Sequence, residues 1–190
     1  MNMKKLLCFF LLSAFSASGL YSQSTPTSIK VGDKYQGGIV AYLFQEGDTG
    51  YDKNKQHGLI AAKKDQSAEA LWGCARKLVP LAEGTVIGTG AKNTAAIVAS
   101  CPTLGIAARV AQNYDGGGFN DWYLPSKDEL NKLYLNKTAV GGFDNGMPNS
   151  YWSSSVSKVG PPWYQGFDDG FSDNFGHGTE TRRVRAVRTF

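Results

Sequence analysis

The chain has 190 residues, 42% of them hydrophobic and 19% charged, enough for one sizeable core and too few for two full domains. Its formal charge of +4 reflects 20 basic and 16 acidic side chains, and losing Lys4 and Lys5 with an export signal would leave 18 against 16. So small an excess gives no case for a nucleic-acid partner.

Residues 1–22 combine Lys4 and Lys5 with the apolar run Leu6 to Leu12 and then small residues, the pattern of a secretory signal peptide cleaved near Ser22 or Gln23. The expectation is an exported protein, secreted, periplasmic or held at the cell surface, with no transmembrane segment once the signal is removed. Cys8 falls inside that signal. Cys74 and Cys101 remain, 27 residues apart, and are expected to form a disulfide, with two buried thiols as the alternative. Residues 23–30 read as a flexible lead-in of Ser, Thr and Pro, and residues 31–190 as one domain.

In chain order, Gly32 to Gly38 is a turn, and Ile39 to Phe44 is a continuous apolar run of strand length. A polar loop from Gly47 to Gln56 leads to a second strand, His57 to Ala62, which would close a hairpin. Asp65 to Cys74 reads as irregular or briefly helical. Asn93 and Thr94 are placed as caps of an Ala-rich helix running to Cys101, with Pro102 ending or kinking it and Ile106 to Asn113 continuing in helical composition. After the triple glycine 116–118, Ser126 caps a helix from Lys127 to Asn136. Glu129 sits at the third helical position to complete a capping box, and Leu130, Leu133 and Tyr134 share one face.

Beyond that helix, Tyr151 to Ser155, Trp163 to Phe167 and Val184 to Arg188 are strand-like. The last should bury one face and carry guanidinium groups on the other. The expected fold class is α+β, short antiparallel strands with two main helices, and N- and C-terminal strands in one sheet.

Three chemistries can be weighed. Asp115, Asn120 and Asp121 around the triple glycine offer oxygen ligands for Ca²⁺, against a plain turn-and-cap role, and no other cofactor is suggested. His57 and His177 are the only bases suited to neutral pH, and neither lies in a nucleophile motif, so no enzyme is expected. The segment from Asp168 to Thr181 makes turns and a surface. Trp152, Trp163 and Phe167 read as core, whereas Tyr164, Gln165, Asp168, Asp169, Phe171, Asp173, Asn174, Phe175 and His177 interleave aromatic and adaptable polar groups as recognition surfaces do. These nine are the predicted ligand-binding residues. Arg185 and Arg188 are expected to hold carboxylates or strand-end carbonyls.

Trp122-Tyr123-Leu124-Pro125-Ser126, then Glu129-Leu130, Tyr151 to Ser155 and Val184 to Arg188 together resemble the bacterial domain at the C-terminus of a collagen-like adhesin. That domain is similar to the C-type-lectin-like fold in the form shared with formylglycine-generating enzymes, whose motif begins with Arg where Tyr123 stands. The resemblance spans roughly 32–190 and implies a lectin-like binding domain for a surface glycan or protein ligand. An enzyme of the formylglycine-generating type and a structural part of a surface assembly are its rivals. Those oxidases use two late cysteines, and this chain has none after Cys101; nor does Asn120-Asp121-Trp122 follow the Trp-Asn-Asp order of calcium-dependent lectins. The ending is also similar to the variable proteins of diversity-generating retroelements. Tyr164, Asp168, Asp169, Phe171 to Phe175, His177 and Thr179 have residue types that rewritten Asn codons produce, whereas Lys158, Gln165 and Glu180 do not.

Overall fold

A computed structural model describes residues 28–74, 79–144, 146, 149–158, 160–175 and 179–190. The expected signal peptide with Cys8, most of the lead-in, and His177 lie outside them.

The apolar run after the first turn becomes β2 (Gly38–Leu43), flanked by β1 (Lys34–Tyr35) and paired antiparallel with β3 (Gly58–Ala61), from Ile39 opposite Ala61 to Leu43 opposite Gly58. β3 is buried on both faces, which is why its sequence is continuously apolar. The last strand, β9 (Val187–Thr189), returns beside β3, so the first and last strands share a four-stranded sheet, as expected. A second sheet has the order β4 (Ser67–Leu71), β8 (Thr181–Val184), β5 (Ser150–Val156), β6 (Pro162–Gly166), β7 (Ser172–Asp173). The helices are α1 (Gly90–Ser100), α2 (Ala107–Gln112), α3 (Lys127–Leu135) and α4 (Lys137–Val140). The fold class is α+β. None of these helices is long and apolar enough to cross a membrane.

Four local expectations change. Residues 67–71 form edge strand β4, because Ala70 faces the core while Glu69 and Leu71 face water, and β8 supplies the partner. Asn93 and Thr94 cap nothing. They lie inside α1, buried, where Asn93 Nδ2 donates to Gly84 O at 2.6 Å and Thr94 Oγ1 exchanges bonds with the backbone of Leu124. α1 instead begins at Gly90, where an added Cβ would lie 2.7 Å from the Tyr123 ring and 2.8 Å from Ser126 N. The expected strand 184–188 divides between β8 and β9, because the chain crosses sheets at 185–186, with Ala186 bonded to Ala62 and Gln66. Its predicted outward guanidinium face is absent: Arg183, Arg185 and Arg188 are all buried.

The capping box on α3 forms as read, with Glu129 N donating to Ser126 Oγ at 3.3 Å and Ser126 N to Glu129 Oε2 at 2.7 Å. The disulfide also forms, joining Cys74 to Cys101 just beyond α1 at a Cα separation of 5.4 Å. Two apolar clusters meet across β5, buried along its whole length. Trp152 enters the cluster of Trp72, Ile97, Trp122 and Leu124, and its neighbour Tyr151 enters that of Leu59, Leu130, Leu133 and Phe167. Successive side chains on a strand point to opposite faces, so β5 serves both cores.

Candidate ligand-binding surface

β6 sorts the predicted residues by alternation. Trp163 and Gln165 turn toward α3: Lys127 Nζ lies 4.4 Å from the Trp163 ring centroid, and Gln165 Nε2 donates to Asn131 Oδ1 at 2.9 Å and Gly170 O at 3.1 Å. Gln165 is 3% exposed and braces the turn from below, so it does not belong to the surface predicted for it. Trp163, expected in the core, is half-buried beneath its lysine. Tyr164 faces the other way, with its ring 6.1 Å from that of Trp152 and the Arg182 guanidinium 3.5 Å above it.

The turn that follows is held firmly and presents charge. Phe167 is buried against Tyr134, Phe143 and Tyr151, and Lys137 Nζ donates to Phe167 O at 2.6 Å. Asp168 and Asp169 are exposed, and their carboxylates converge over Gly166: a Cβ built there would meet Asp169 Oδ1 at 2.9 Å and Asp168 Oδ1 at 3.0 Å. The backbone N–H of Asp169 holds the Asp168 carboxyl below its ordinary range. Phe171 N donates to Asp169 Oδ1 at 2.9 Å, and Gly166 N donates to Phe171 O at 2.8 Å. β7 then pairs Asp173 with Tyr164. Asp173 and Asn174 are half-buried, while Phe171 is 58% and Phe175 82% exposed. A cleft of about 280 Å³ adjoins the turn, lined by Lys137, Thr138, Gly141, Gly142, Phe143 and Phe167. The structure therefore brings together Tyr164, Asp168, Asp169, Phe171, Asp173, Asn174 and Phe175, turns Gln165 away, and leaves His177 outside the described residues.

The neighbouring arginines behave differently. Asp65 receives Arg185 at 2.7 Å, Arg183 at 3.3 Å and the Tyr151 hydroxyl at 2.9 Å. Arg185 also donates to the carbonyls of Ala62, Gly141 and Gly142. Burial, with the Asp65 charge adding to it, pushes the Tyr151 hydroxyl well above its ordinary pKa. Arg188 forks onto Asp121 at 2.6 and 2.8 Å and donates to Gln36. Both structural roles expected for Arg185 and Arg188 are seen. The same fork weighs against the calcium reading, because the carboxylate of Asp121 is already engaged. Among the described residues no three His, Cys, Asp or Glu side chains gather as a metal would require. His57 Nδ1 lies 2.8 Å from Phe190 O and ties the start of β3 to the chain beyond β9.

Sequence reading missed Arg182 and the α3 and α4 residues Asn131, Tyr134 and Lys137. The three-residue spacing of the last group puts them on one side of the helical segment and could have been noticed; nothing local marks Arg182 off from Arg183. Residues 62–188 match the family model described as Lcl C-terminal domain. No curated protein matches the chain.

Proposed function

The chain belongs to the Lcl C-terminal domain family, and from that premise we propose that it is a non-catalytic, adhesin-type binding domain of an exported protein, C-type-lectin-like in fold. Its ligand, a surface glycan or protein, meets the β6–β7 hairpin at the β7 edge of its sheet. The observation that carries this is the exposure of Phe171 and Phe175 beside Asp168, Asp169 and Asp173 on a turn fixed from beneath by Gln165 and Lys137. Exposed aromatic rings on a rigid support lose little entropy on binding. Two further observations favour binding over chemistry. The carboxyl of Glu129, raised by burial, and the phenol of Tyr123, raised further by the same cause, are both interior. The Cys74–Cys101 bond leaves no free thiol among the described residues for an oxidase of the formylglycine-generating type.

The test is an array of surface glycans and surface proteins probed with the exported chain and with a Phe171→Ala, Phe175→Ala double variant of equal melting temperature. Ligands retained by the first and lost by the second support the reading, and equal retention by both removes it.

A diversified version of this surface is favoured by one pattern. Of the positions whose residue types fit rewritten Asn codons, those described are all exposed or half-buried, whereas Gln165 is buried. Lys158 and Glu180 do not fit, yet they are exposed. A neighbouring reverse transcriptase gene, with a second copy of the 3′ segment differing at adenines, would decide for it; neither being present would decide against.

A further inference from the structure

Four arginines fall between residues 182 and 188, and three of them have carboxylates: Arg183 with Asp65 and Asp144, Arg185 with Asp65, Arg188 with Asp121. Arg182 has none within ion-pair distance among the described residues, and the remaining residues of the chain include no Asp or Glu. Its guanidinium lies 3.5 Å from the centroid of the Tyr164 ring and 4.8 Å from that of Trp152, with Nη1 donating to Ser150 Oγ at 2.8 Å and Nε buried without a partner. The stack and the hydroxyl fix the plane of the group. The acidic side chain that acts on it, Glu180, is exposed and does so only from beyond ion-pair distance. A half-buried cation so weakly matched is unfavourable, and burial lowers the proton affinity of the guanidinium against the opposing charge of Glu180.

The surroundings restrict what could pair with it directly. Asp173 is paired with Tyr164, and Asp168 and Asp169 converge over Gly166, which shares the Tyr164 face of β6. One guanidinium among four carboxylates, Glu180 included, repels a polyanion and accepts a single acid flanked by bases. Arg182 covers one face of the Tyr164 ring, and that face is closed to stacking by a sugar. Phe171 and Phe175 offer apolar contact, and β7 is the last strand of its sheet, so its outer edge can take an extended backbone.

Resting on the binding surface proposed above, we infer that the ligand is a polypeptide segment of mixed charge, presenting one carboxylate to Arg182 and basic side chains to Asp168, Asp169 and Asp173. Arg182 selects the acid through its planar fork, and the three aspartates reject polyanions.

The experiment measures binding of the exported chain to arrayed, randomised octapeptides in three charge classes, and to a sulfated polysaccharide. One class carries a single acid between two bases, one carries Asn or Gln for that acid, and one is acidic throughout. The expected result is retention of the first class alone, weakened about tenfold by amidation of the acid, which alters no residue of the protein. Arg182→Gln should weaken the first class by the same factor, and Arg182→Lys should recover part of the loss. Equal binding of the acid and amide classes, preference for the acidic peptides or the polysaccharide, or binding indifferent to Arg182→Gln would each overturn the inference. So would no retention of any peptide. If the Phe171→Ala, Phe175→Ala variant abolishes binding to any arrayed ligand while Arg182→Gln does not, the binding surface stands and only the inference falls. If neither variant matters, both fall.

Discussion

Around Asp65 two guanidiniums and a phenol converge on one carboxylate, and all four side chains are largely buried. Around Gly166 two carboxylates converge instead, both exposed, with no ion-pair partner among the described residues. The first arrangement joins the β3–β4 connection, the loop after α4, β5 and β8. The second joins its own turn and, through Asp168, only the side chain of Asn149 just before β5. Charge in the interior is tolerated where every lone pair and proton is matched, because an unmatched buried charge is strongly destabilising. On the edge, water does the matching, and unpaired groups remain open to a partner. The contrast predicts that substitutions at the first region damage stability and spare the surface, and that substitutions at the second do the reverse.

The largest effect is expected from Arg185→Ala. It removes the side chain that reaches Asp65 and three backbone carbonyls, and breaking a buried pair in this way costs about 3–5 kcal/mol. Denaturant unfolding should show it, and a loss under 1 kcal/mol would mean that the cluster around Asp65 is not a stabilising frame. Next comes the disulfide. Replacing Cys74 and Cys101 by Ser opens a loop of 27 residues and should cost about 3–4 kcal/mol, read from unfolding midpoints; a non-reduced digest should show the two cysteines linked.

A smaller change follows from Glu129→Gln. Oε1 of Glu129 accepts from Gly88 N at 2.8 Å and Oε2 from Ser126 N at 2.7 Å, and an amide can accept through only one of its two ends. A loss of about 1–3 kcal/mol is expected from the donor left unpaired. Asp121 gives a test by pH. Arg188 holds its carboxyl below the ordinary range, so the folded chain takes up that proton less readily than the unfolded one. The pair therefore adds stability above the ordinary carboxylate pKa of about 4, and loses it as pH falls through the depressed folded value. Unfolding measured from pH 6 to pH 3 should fall less steeply in Asp121→Asn than in the parent. The smallest expected effect on stability is that of Phe171→Ala with Phe175→Ala, within about 0.5 kcal/mol per site, since both rings already face water. A larger loss would make them part of the core and remove the contrast between the two regions.

What was legible in the sequence was local. The capping box of Ser126 and Glu129 is specified by two residues three positions apart, and the β2–β3 hairpin by continuous apolar runs around a polar loop. The disulfide followed from two cysteines in a chain expected to be exported. The nine predicted surface residues had a composition suited to recognition, but their direction depended on strand register: adjacent in sequence, Tyr164 and Gln165 point to opposite faces, one toward Arg182 and the other toward Asn131. The fates of Asn93 and Thr94, and the splitting of the last strand at 185–186, were decided by carbonyls and amides far away in the chain, such as Gly84, Leu124 and Gln66. The four closing arginines are alike as residue types. Only the tertiary structure placed carboxylates against three of them and an aromatic ring beneath the fourth, because ion pairs form between groups that the fold brings within a few ångströms, however many residues separate them along the chain.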